Sequence, residues 1–232
     1  MNTLIDRSRM TERMREFLSL DPSGTAVLTI DCQRGNLEPG IASLPVPADE
    51  CARVIAGTNA LLHLARERQI AIVHLTTAWE APLLGTHPFE RAMLRLNESF
   101  VPSGKSDFAR HKSPGSVEAQ IVAGLDVQSA DLLVDSKRTF DGFEGTPLDR
   151  LLRSMGKDTL LIAGCNTNTC VLSTTFGAYN RGYRAVVISD CVASAYGSDL
   201  HIFALENIKC RLGWVLSLDQ LQEKLPPSAI NL

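Results

Sequence analysis

Hydrophobic residues along this chain collect into six short apolar runs, and apolar positions recur with helical spacing between the runs. The runs cover residues 25–30, 70–76, 132–135, 159–163, 184–189 and 214–216. Continuous apolar strands indicate a parallel sheet covered on both faces, because a strand with one wet face alternates apolar and polar residues. The pattern therefore predicts an α/β fold: a doubly wound, mainly parallel six-stranded sheet with helices on both faces.

Turn and capping residues predict where two of the helices begin and end. Thr-Pro at 146–147 is typical of a helix start, and Gly156 is placed to end that helix. A second helix is predicted to begin at Thr169 or Cys170 and to stop at Gly182, where glycine suits a left-handed cap.

Two features lie outside the alternating pattern. Residues at about 7–19 predict an extra N-terminal helix, and we expect one domain over residues 1–232. The stretch 77–115 is long, irregular and rich in proline and glycine. Long insertions in compact domains usually carry function or form an interface, so the two features together favour a homo-oligomer, a dimer or tetramer.

Charge and hydropathy narrow the class of partner. The 232 residues include 23 Lys+Arg against 26 Asp+Glu, for a formal net charge of -3. That balance gives no electrostatic reason to expect nucleic acid or an anionic membrane. No apolar run approaches the roughly 20 residues of a membrane span, and the first residues are too mixed for a signal peptide. We expect a small-molecule substrate, no nucleic acid or membrane partner, and a cytoplasmic protein.

Cysteine and histidine spacing gives no local metal motif. The six cysteines contain no Cys-x-x-Cys pair, and the five histidines form neither His-x-His nor His-x-x-x-His. We expect no metal and no cofactor, although ligands from distant segments stay open. His74, inside an apolar run, is predicted to be a hydrogen-bonded core histidine.

Three reactive side chains follow predicted strands. Asp31 ends the first strand, Lys137 follows the third, and Cys170 lies beyond the turn after the fourth. The carboxyl ends of parallel strands share one edge of the sheet, where ligands bind. Singly, each has an ordinary explanation as a cap, a solvated lysine or a small core residue. Together they predict a nucleophilic site. Asp31 takes the proton of the Cys170 thiol, and a helix N-terminus and the nearby ammonium stabilise the resulting thiolate.

The sequence around these residues resembles the isochorismatase-like cysteine hydrolases. The matching stretches are 26–33, 137–148, 164–171, 182–183, 186–190 and 213–214, within a resemblance that runs from about 24 to 218. It implies a six-stranded parallel sheet, a homo-oligomer and a catalytic triad of Asp31, Lys137 and Cys170. It also implies a non-proline cis peptide between Cys165 and Asn166, with the amides of Asn166 and Cys170 facing a developing oxyanion.

Departures from the family's patterns narrow the expected chemistry. Nicotinamidases carry an Asp-x-His metal site after the second strand, whereas residues 76–80 here read Thr-Thr-Ala-Trp-Glu. Isochorismatases proper lack the nucleophilic cysteine, so Cys170 indicates attack on a carbonyl with release of an amine. Stretches 142–149, 152–156 and 213–214 most resemble the ureidoacrylate amidohydrolase and biuret hydrolase branch.

The leading hypothesis is a metal-independent cysteine amidohydrolase that cleaves a small amide, ureido or carbamoyl substrate through a thioester and releases ammonia. The candidates for substrate binding are Gln33, Arg34, Trp79, Arg138, Phe140, Phe143 and Asn166. The alternative for Gln33 is a supporting role in the turn, and the alternative for the two arginines is exposure to solvent. Other hypotheses are a hydrolase of another amide such as maleamate, a non-catalytic ligand-binding or scaffold protein, and a thiol redox protein with Cys165 as the resolving cysteine.

Overall fold

Six strands form a single sheet in the computed structural model, which describes residues 5–79, 87–93, 95, 101–102 and 111–226. The strands are β1 (Thr25–Ile30), β2 (Ala71–Thr77), β3 (Leu132–Lys137), β4 (Thr159–Cys165), β5 (Arg184–Ala193) and β6 (Trp214–Leu216). Every predicted strand is present, and the observed bounds differ from the predicted ones mainly at the carboxyl ends.

Helices lie in connections between the strands, before the first strand and after the last. They are α1 (Ser8–Glu16), α2 (Arg34–Leu37), α3 (Ala48–Glu67), α4 (Pro88–Met93), α5 (Leu148–Ser154), α6 (Leu172–Asn180), α7 (Ser198–Asn207) and α8 (Leu218–Lys224). Two π-helical turns, Thr167–Val171 and Ile208–Leu212, join α6 and α7 to their neighbouring segments.

All strand pairs of the sheet are parallel, in the order β3-β2-β1-β4-β5-β6. The chain winds outward in one direction from β1 to β3 and in the other from β4 to β6. Strands β1 and β4 therefore flank the switch point, where a crevice opens beyond the strand ends in this class of fold. The predicted doubly wound α/β architecture is confirmed.

Each face of the sheet carries its own hydrophobic core. Val27 of β1 packs with α3 and α8 on one face, whereas Leu28 packs with α5 and α6 on the other. Successive strand residues point to opposite faces, so central strands covered on both sides must be apolar throughout. This is the pattern that β1 and β4 show, with every residue buried.

Strand β3 departs from the expectation of strands covered on both faces. It is an edge strand whose burial alternates, with Leu133 and Asp135 exposed and Val134 buried. A register shift against β2 then turns Lys137 fully inward. The edge position leaves one face wet, and the irregularity directs the lysine to the crevice.

Helix ends follow the capping chemistry of the sequence. Thr146 Oγ1 accepts a hydrogen bond from the Leu148 amide at the start of α5, 3.3 Å away. Gly156 (φ 67°) and Gly182 (φ 78°) take left-handed conformations just after α5 and α6. Helix α6 itself starts at Leu172, because the residues around Cys170 form a π-helical turn rather than its first turn.

The N-terminal helix α1 lies next to the far edge of the sheet. The Trp214 indole donates a hydrogen bond to the Met14 carbonyl, 2.8 Å away, which links α1 to β6. Leu18 and Leu20, after the helix, are buried in the core.

The insertion at 77–115 lies partly outside the described residues, at 80–86, 94, 96–100 and 103–110. None of the helices that the structure describes is long and apolar enough to cross a membrane.

Candidate active site

Asp31 stands at the carboxyl end of β1, at the switch point of the sheet. Its backbone is left-handed (φ 53°), and its amide donates to the Leu75 carbonyl at 2.9 Å. The Asp31 carbonyl accepts from Asn36 Nδ2 at 3.1 Å. The side chain is fully buried. Non-glycine residues in this conformation are uncommon and concentrate at functional sites, where surrounding contacts enforce them.

Lys137 ends β3 and reaches across β2 to Asp31. Its Nζ lies 2.8 Å from Asp31 Oδ2, 3.0 Å from Thr77 Oγ1 and 3.3 Å from Cys170 Sγ. The ammonium has three N–H donors, so these three contacts use all of them. A fully buried lysine is rare and needs such partners.

Cys170 lies in the π-helical turn that follows β4. The approach of β4 to β1 is close: a Cβ on Gly164 would lie 1.9 Å from the Ile30 carbonyl oxygen, so only glycine fits there. Cys170 is 5% exposed, and its sulfur accepts from the Lys137 ammonium. The structure thus brings together the three residues that the sequence predicted would share this edge.

The charges of the site set the protonation state of its members. Burial raises the pKa of Asp31, but the ammonium groups of Lys137 and Lys112 outweigh burial and hold that pKa below its ordinary value. Burial raises the pKa of the Cys170 thiol, Asp31 raises it further, and the two lysines only partly offset this. These directions favour a carboxylate at Asp31 beside a thiol at Cys170, while Lys137 and Lys112 lower the thiol pKa against the effect of burial.

One oxygen of Asp31 is unpartnered. Oδ2 accepts from Lys137, whereas Oδ1 is buried and makes no hydrogen bond to any described residue. A buried acceptor without a donor costs about 1–3 kcal/mol. Such an oxygen is suited to take a proton during a reaction.

Two further residues of the site were not predicted from the sequence. Thr77, at the end of β2, accepts from Lys137 and donates to the Lys137 carbonyl at 3.3 Å. Lys112 is 2% exposed, and its Nζ lies 3.7 Å from Asp31 Oδ2. The signal for Thr77 was its strand-end position. Lys112 lies in the insertion that was marked as functional only as a whole.

Gln33 and the two candidate arginines have local partners. Gln33 Nε2 donates to the carbonyls of Thr77 and Ala119, both at 2.7 Å, which supports the alternative role of fastening the loops. Arg34 forms a two-point ion pair with Glu38, at 2.6 and 3.0 Å. Arg138 donates to backbone carbonyls of its own segment, including that of Lys137 at 3.0 Å. These contacts give both arginines structural partners within the protein.

The candidate aromatic residues divide into two groups. The rings of Trp79 and Phe140 meet edge to face, 5.6 Å apart, and Phe140 is 42% exposed. Phe143 instead is 4% exposed and stacks on Tyr183, also at 5.6 Å, with the Arg181 guanidinium over its ring. Phe143 therefore has a packing role, which corrects its expected place in a pocket wall.

The turn after β4 has the backbone that the resemblance implied, because the Cys165–Asn166 peptide bond is cis. Asn166 Oδ1 accepts from the Ala195 amide at 2.9 Å, so this oxygen holds the neighbouring loop. Cys165 is buried in the core cluster on the sheet face opposite that of Cys170. Burial raises its pKa well above the ordinary value, which makes it a poor resolving thiol.

Among the described residues, no group of three or more His, Cys, Asp or Glu side chains is arranged to hold a metal ion.

Comparison with known proteins adds a family and several structural neighbours. Residues 25–220 match the isochorismatase domain. The ureidoacrylate amidohydrolase RutB of Methylobacterium radiotolerans is 26% identical over 217 residues, covering 90% of this chain and 83% of that protein.

Two solved structures share the fold. A cysteine hydrolase from Pseudomonas syringae pv. phaseolicola has a TM-score of 0.75 at 23% identity, over 89% of this chain and 94% of that one. An isochorismatase family protein from Burkholderia thailandensis has a TM-score of 0.68 at 27% identity, over 89% of this chain and 97% of that one.

Proposed function

Because the chain belongs to the isochorismatase family of hydrolases, we propose that it is a cysteine-dependent amidohydrolase acting on a small amide, ureido or carbamoyl substrate. The observation that carries the proposal is the contact of one ammonium, that of Lys137, with both Asp31 Oδ2 and Cys170 Sγ. A base, a cation and a thiol at the switch point of an α/β sheet are the parts that nucleophilic acyl transfer needs.

The first half-reaction forms a thioester. Asp31 Oδ1, which has no described partner, takes the proton of the Cys170 thiol while the sulfur attacks the carbonyl carbon. The carbonyl oxygen becomes an oxyanion, stabilised by the turn amides of Asn166 and Cys170 and by the field of Lys137. Asp31 then passes the proton to the leaving nitrogen, the C–N bond breaks, and ammonia departs.

The second half-reaction reverses the roles. Water loses a proton to Asp31 and its oxygen attacks the thioester carbon. The C–S bond breaks, the sulfur regains the proton from Asp31, and the product leaves as an acid or carbamate. Lys137 keeps its charge throughout, so its task is to hold Asp31 and to balance negative charge on sulfur and oxygen.

The ureido branch is the substrate class that the observations favour. The amidohydrolase RutB, named for ureidoacrylate, is similar over 90% of this chain. Trp79 and Phe140 offer an exposed aromatic corner for a planar polar group. A site that pairs buried polar groups discriminates strongly against analogues lacking them.

The test is an ammonia-release screen over ureidoacrylate, biuret, carbamoyl amino acids, maleamate and nicotinamide. We expect kcat/KM for the best ureido or carbamoyl amide to exceed that for nicotinamide at least about a hundredfold, or roughly 3 kcal/mol. Equal values would refute the ureido assignment, and a best rate on maleamate would select the alternative amide. Acid-quenched protein should carry the acyl group on the peptide containing Cys170.

Assembly is a separate part of the proposal. We propose a homo-oligomer, a dimer or tetramer, from α1 and the long insertion. Light scattering checks this, and a monomeric mass would contradict it.

A further inference from the structure

The charges at the reacting end of the site do not balance. One carboxylate, that of Asp31, faces the ammonium groups of Lys137 and Lys112 at 2.8 and 3.7 Å. Burial and Asp31 raise the pKa of the Cys170 thiol, which works against a second negative charge there. All four side chains are buried. Burying a charge without a partner is costly, so a surplus ammonium in such a place calls for an explanation.

The two lysines differ in how their donors are used. Lys137 spends its three N–H groups on Asp31, Thr77 and Cys170. Lys112 makes only the 3.7 Å ion pair with Asp31 and donates no side-chain hydrogen bond to any described residue. Lys112 is thus the cation of the site whose donors remain available.

The local structure is built around the Lys112 side chain. A Cβ on Gly35 would lie 2.9 Å from Lys112 Cγ, so the glycine in α2 leaves room for the lysine stem. The Lys112 carbonyl accepts from the Trp79 amide at 3.1 Å, and its own amide donates to Glu118 Oε2 at 3.2 Å. Its backbone is left-handed (φ 49°), a conformation that a lysine adopts only when its surroundings enforce it.

The other charged and titratable neighbours do not neutralise this ammonium. Glu118 lies at the backbone end of Lys112, where it also accepts from Ser43 Oγ at 2.6 Å, and it forms no ion pair with Nζ. His111 is buried, and burial together with the neighbouring lysines holds its pKa well below the ordinary value, so it is neutral.

We infer that Lys112 binds an anionic group of the substrate, so that the hydrolysed molecule is a small amide or ureide that also bears a carboxylate. This inference rests on the proposed function and names the substrate class for it. A bound carboxylate cancels the surplus charge and accepts the spare N–H groups. It also fixes the far end of the molecule while its carbonyl meets Cys170.

Two alkylating reagents of similar size test the inference without the natural substrate. Iodoacetate carries a carboxylate and iodoacetamide is its neutral amide. The rate of each at Cys170 is followed by peptide mass mapping and divided by its rate with glutathione. We expect the iodoacetate-to-iodoacetamide ratio to be at least about tenfold higher in the wild type than in Lys112→Met. Lys112→Arg should restore most of the preference.

Lys157→Met is the matched control. Lys157 lies just before the amino end of β4, away from the crevice, and donates to the Ser23 carbonyl. The Lys157→Met substitution removes the same charge from the protein, so the iodoacetate-to-iodoacetamide ratio should stay within about twofold of the wild type.

The other outcomes overturn the inference. An unchanged ratio in Lys112→Met shows that no anion is recognised there, and an equal loss with both reagents shows that Lys112 acts on the thiol. If Lys112→Met does not fold, the wild type decides: propionate should protect Cys170 against iodoacetamide and propionamide should not, and equal protection by both refutes the inference. Failure of the proposed function gives a different result. If hydrolysis does not depend on the cysteine, alkylation of Cys170 leaves the rate of amide hydrolysis unchanged.

Discussion

Two buried ionic clusters lie on the β1 to β3 side of this sheet, and only one has the properties of a reactive site. The crevice cluster consists of Asp31, Lys112, Lys137 and Cys170 at the carboxyl ends of the strands. The strand cluster consists of Thr29, Arg66, His74 and Asp131. Both place a carboxylate beside a cation in the protein interior.

The hydrogen-bonding groups of His74 and Asp131 in the strand cluster have partners. His74 Nδ1 lies 2.6 Å from Thr29 Oγ1, and Nε2 lies 3.2 Å from Asp131 Oδ2. The same carboxylate accepts from Arg66 at 2.8 Å and from the Gln128 amide at 2.8 Å. Burial lowers the pKa of His74 despite Asp131, which favours the neutral ring. The Arg66 guanidinium pairs with Asp131 at 2.8 Å and with Asp126 at 2.6 Å, so each charge of the cluster has a partner.

The crevice cluster is unsaturated in each of these respects. Asp31 Oδ1 lacks a described donor, Lys112 keeps unused donors, and the charges leave a surplus ammonium. Burial and charge alone therefore do not distinguish a site from a structural network. The unsatisfied groups do, because they are free to take a proton or a ligand.

The nucleophile gives the largest expected effect. Cys170→Ser should lower kcat by at least about three decades, because an alcohol is much harder to ionise than a thiol beside the same base. The fold should remain, as judged by circular dichroism. Cys210→Ser, at a half-buried cysteine outside both clusters, is the control and should keep full activity. Cys165→Ser should also be much milder than Cys170→Ser. Retention of more than about a tenth of kcat in Cys170→Ser would exclude covalent catalysis.

Lys137→Met comes next, with about a hundredfold loss in kcat/KM and a smaller effect on stability, because Lys112 still faces Asp31. In the wild type the pKa of Asp31 is lowered from 3.8, so the acid limb of the rate profile lies below that pH. Among the groups that lower this pKa, Lys137 contributes most; without it, burial raises the pKa and the limb moves to higher pH.

The measurement is kcat/KM against pH for both proteins, together with the pH dependence of Cys170 alkylation. The alkylation profile should move to higher pH in Lys137→Met, because the ammonium lowers the thiol pKa in the wild type. Identical profiles would show that Lys137 has no electrostatic role.

Asp131→Asn sharpens the comparison from the other cluster. It should cost about 1–3 kcal/mol of unfolding free energy, measured by urea denaturation, while kcat/KM stays within about twofold. The folded-state pKa of Asp131 lies below 3.8, so its stabilisation is present above that pH and is lost as the pH falls. The difference in unfolding free energy between the wild type and Asp131→Asn should therefore become smaller at acidic pH. A large loss of kcat/KM at unchanged stability would place the strand cluster in the reaction.

The sequence allowed the sheet and three members of the crevice cluster to be predicted, for a physical reason. Apolar runs locate the parallel strands, and the fold rule sends Asp31, Lys137 and the turn before Cys170 to the same edge. The saturated state of His74 was predictable as well, since a histidine inside an apolar strand needs partners for both nitrogens.

Lys112 and the roles of the aromatic residues could not be predicted in this way. Lys112 reaches Asp31 from an irregular segment through a left-handed backbone and the space over Gly35, and no periodicity encodes such contacts. Phe143 was expected in a pocket because it follows Lys137 closely. Its direction is set by packing on Tyr183, a partner 40 positions further along the chain.

Chelation should have the smallest effect of all. The charges of the crevice cluster come from the chain's own side chains, and residues 76–80 lack the Asp-x-His pair that nicotinamidases carry. Exhaustive treatment with EDTA followed by gel filtration should therefore leave kcat/KM within about twofold of the untreated enzyme. Loss of turnover that added zinc restores would mean that a metal takes part in the reaction and would contradict this prediction. If activity survives chelation, polarisation of the carbonyl falls to the turn amides and to Lys137, whose contribution Lys137→Met measures.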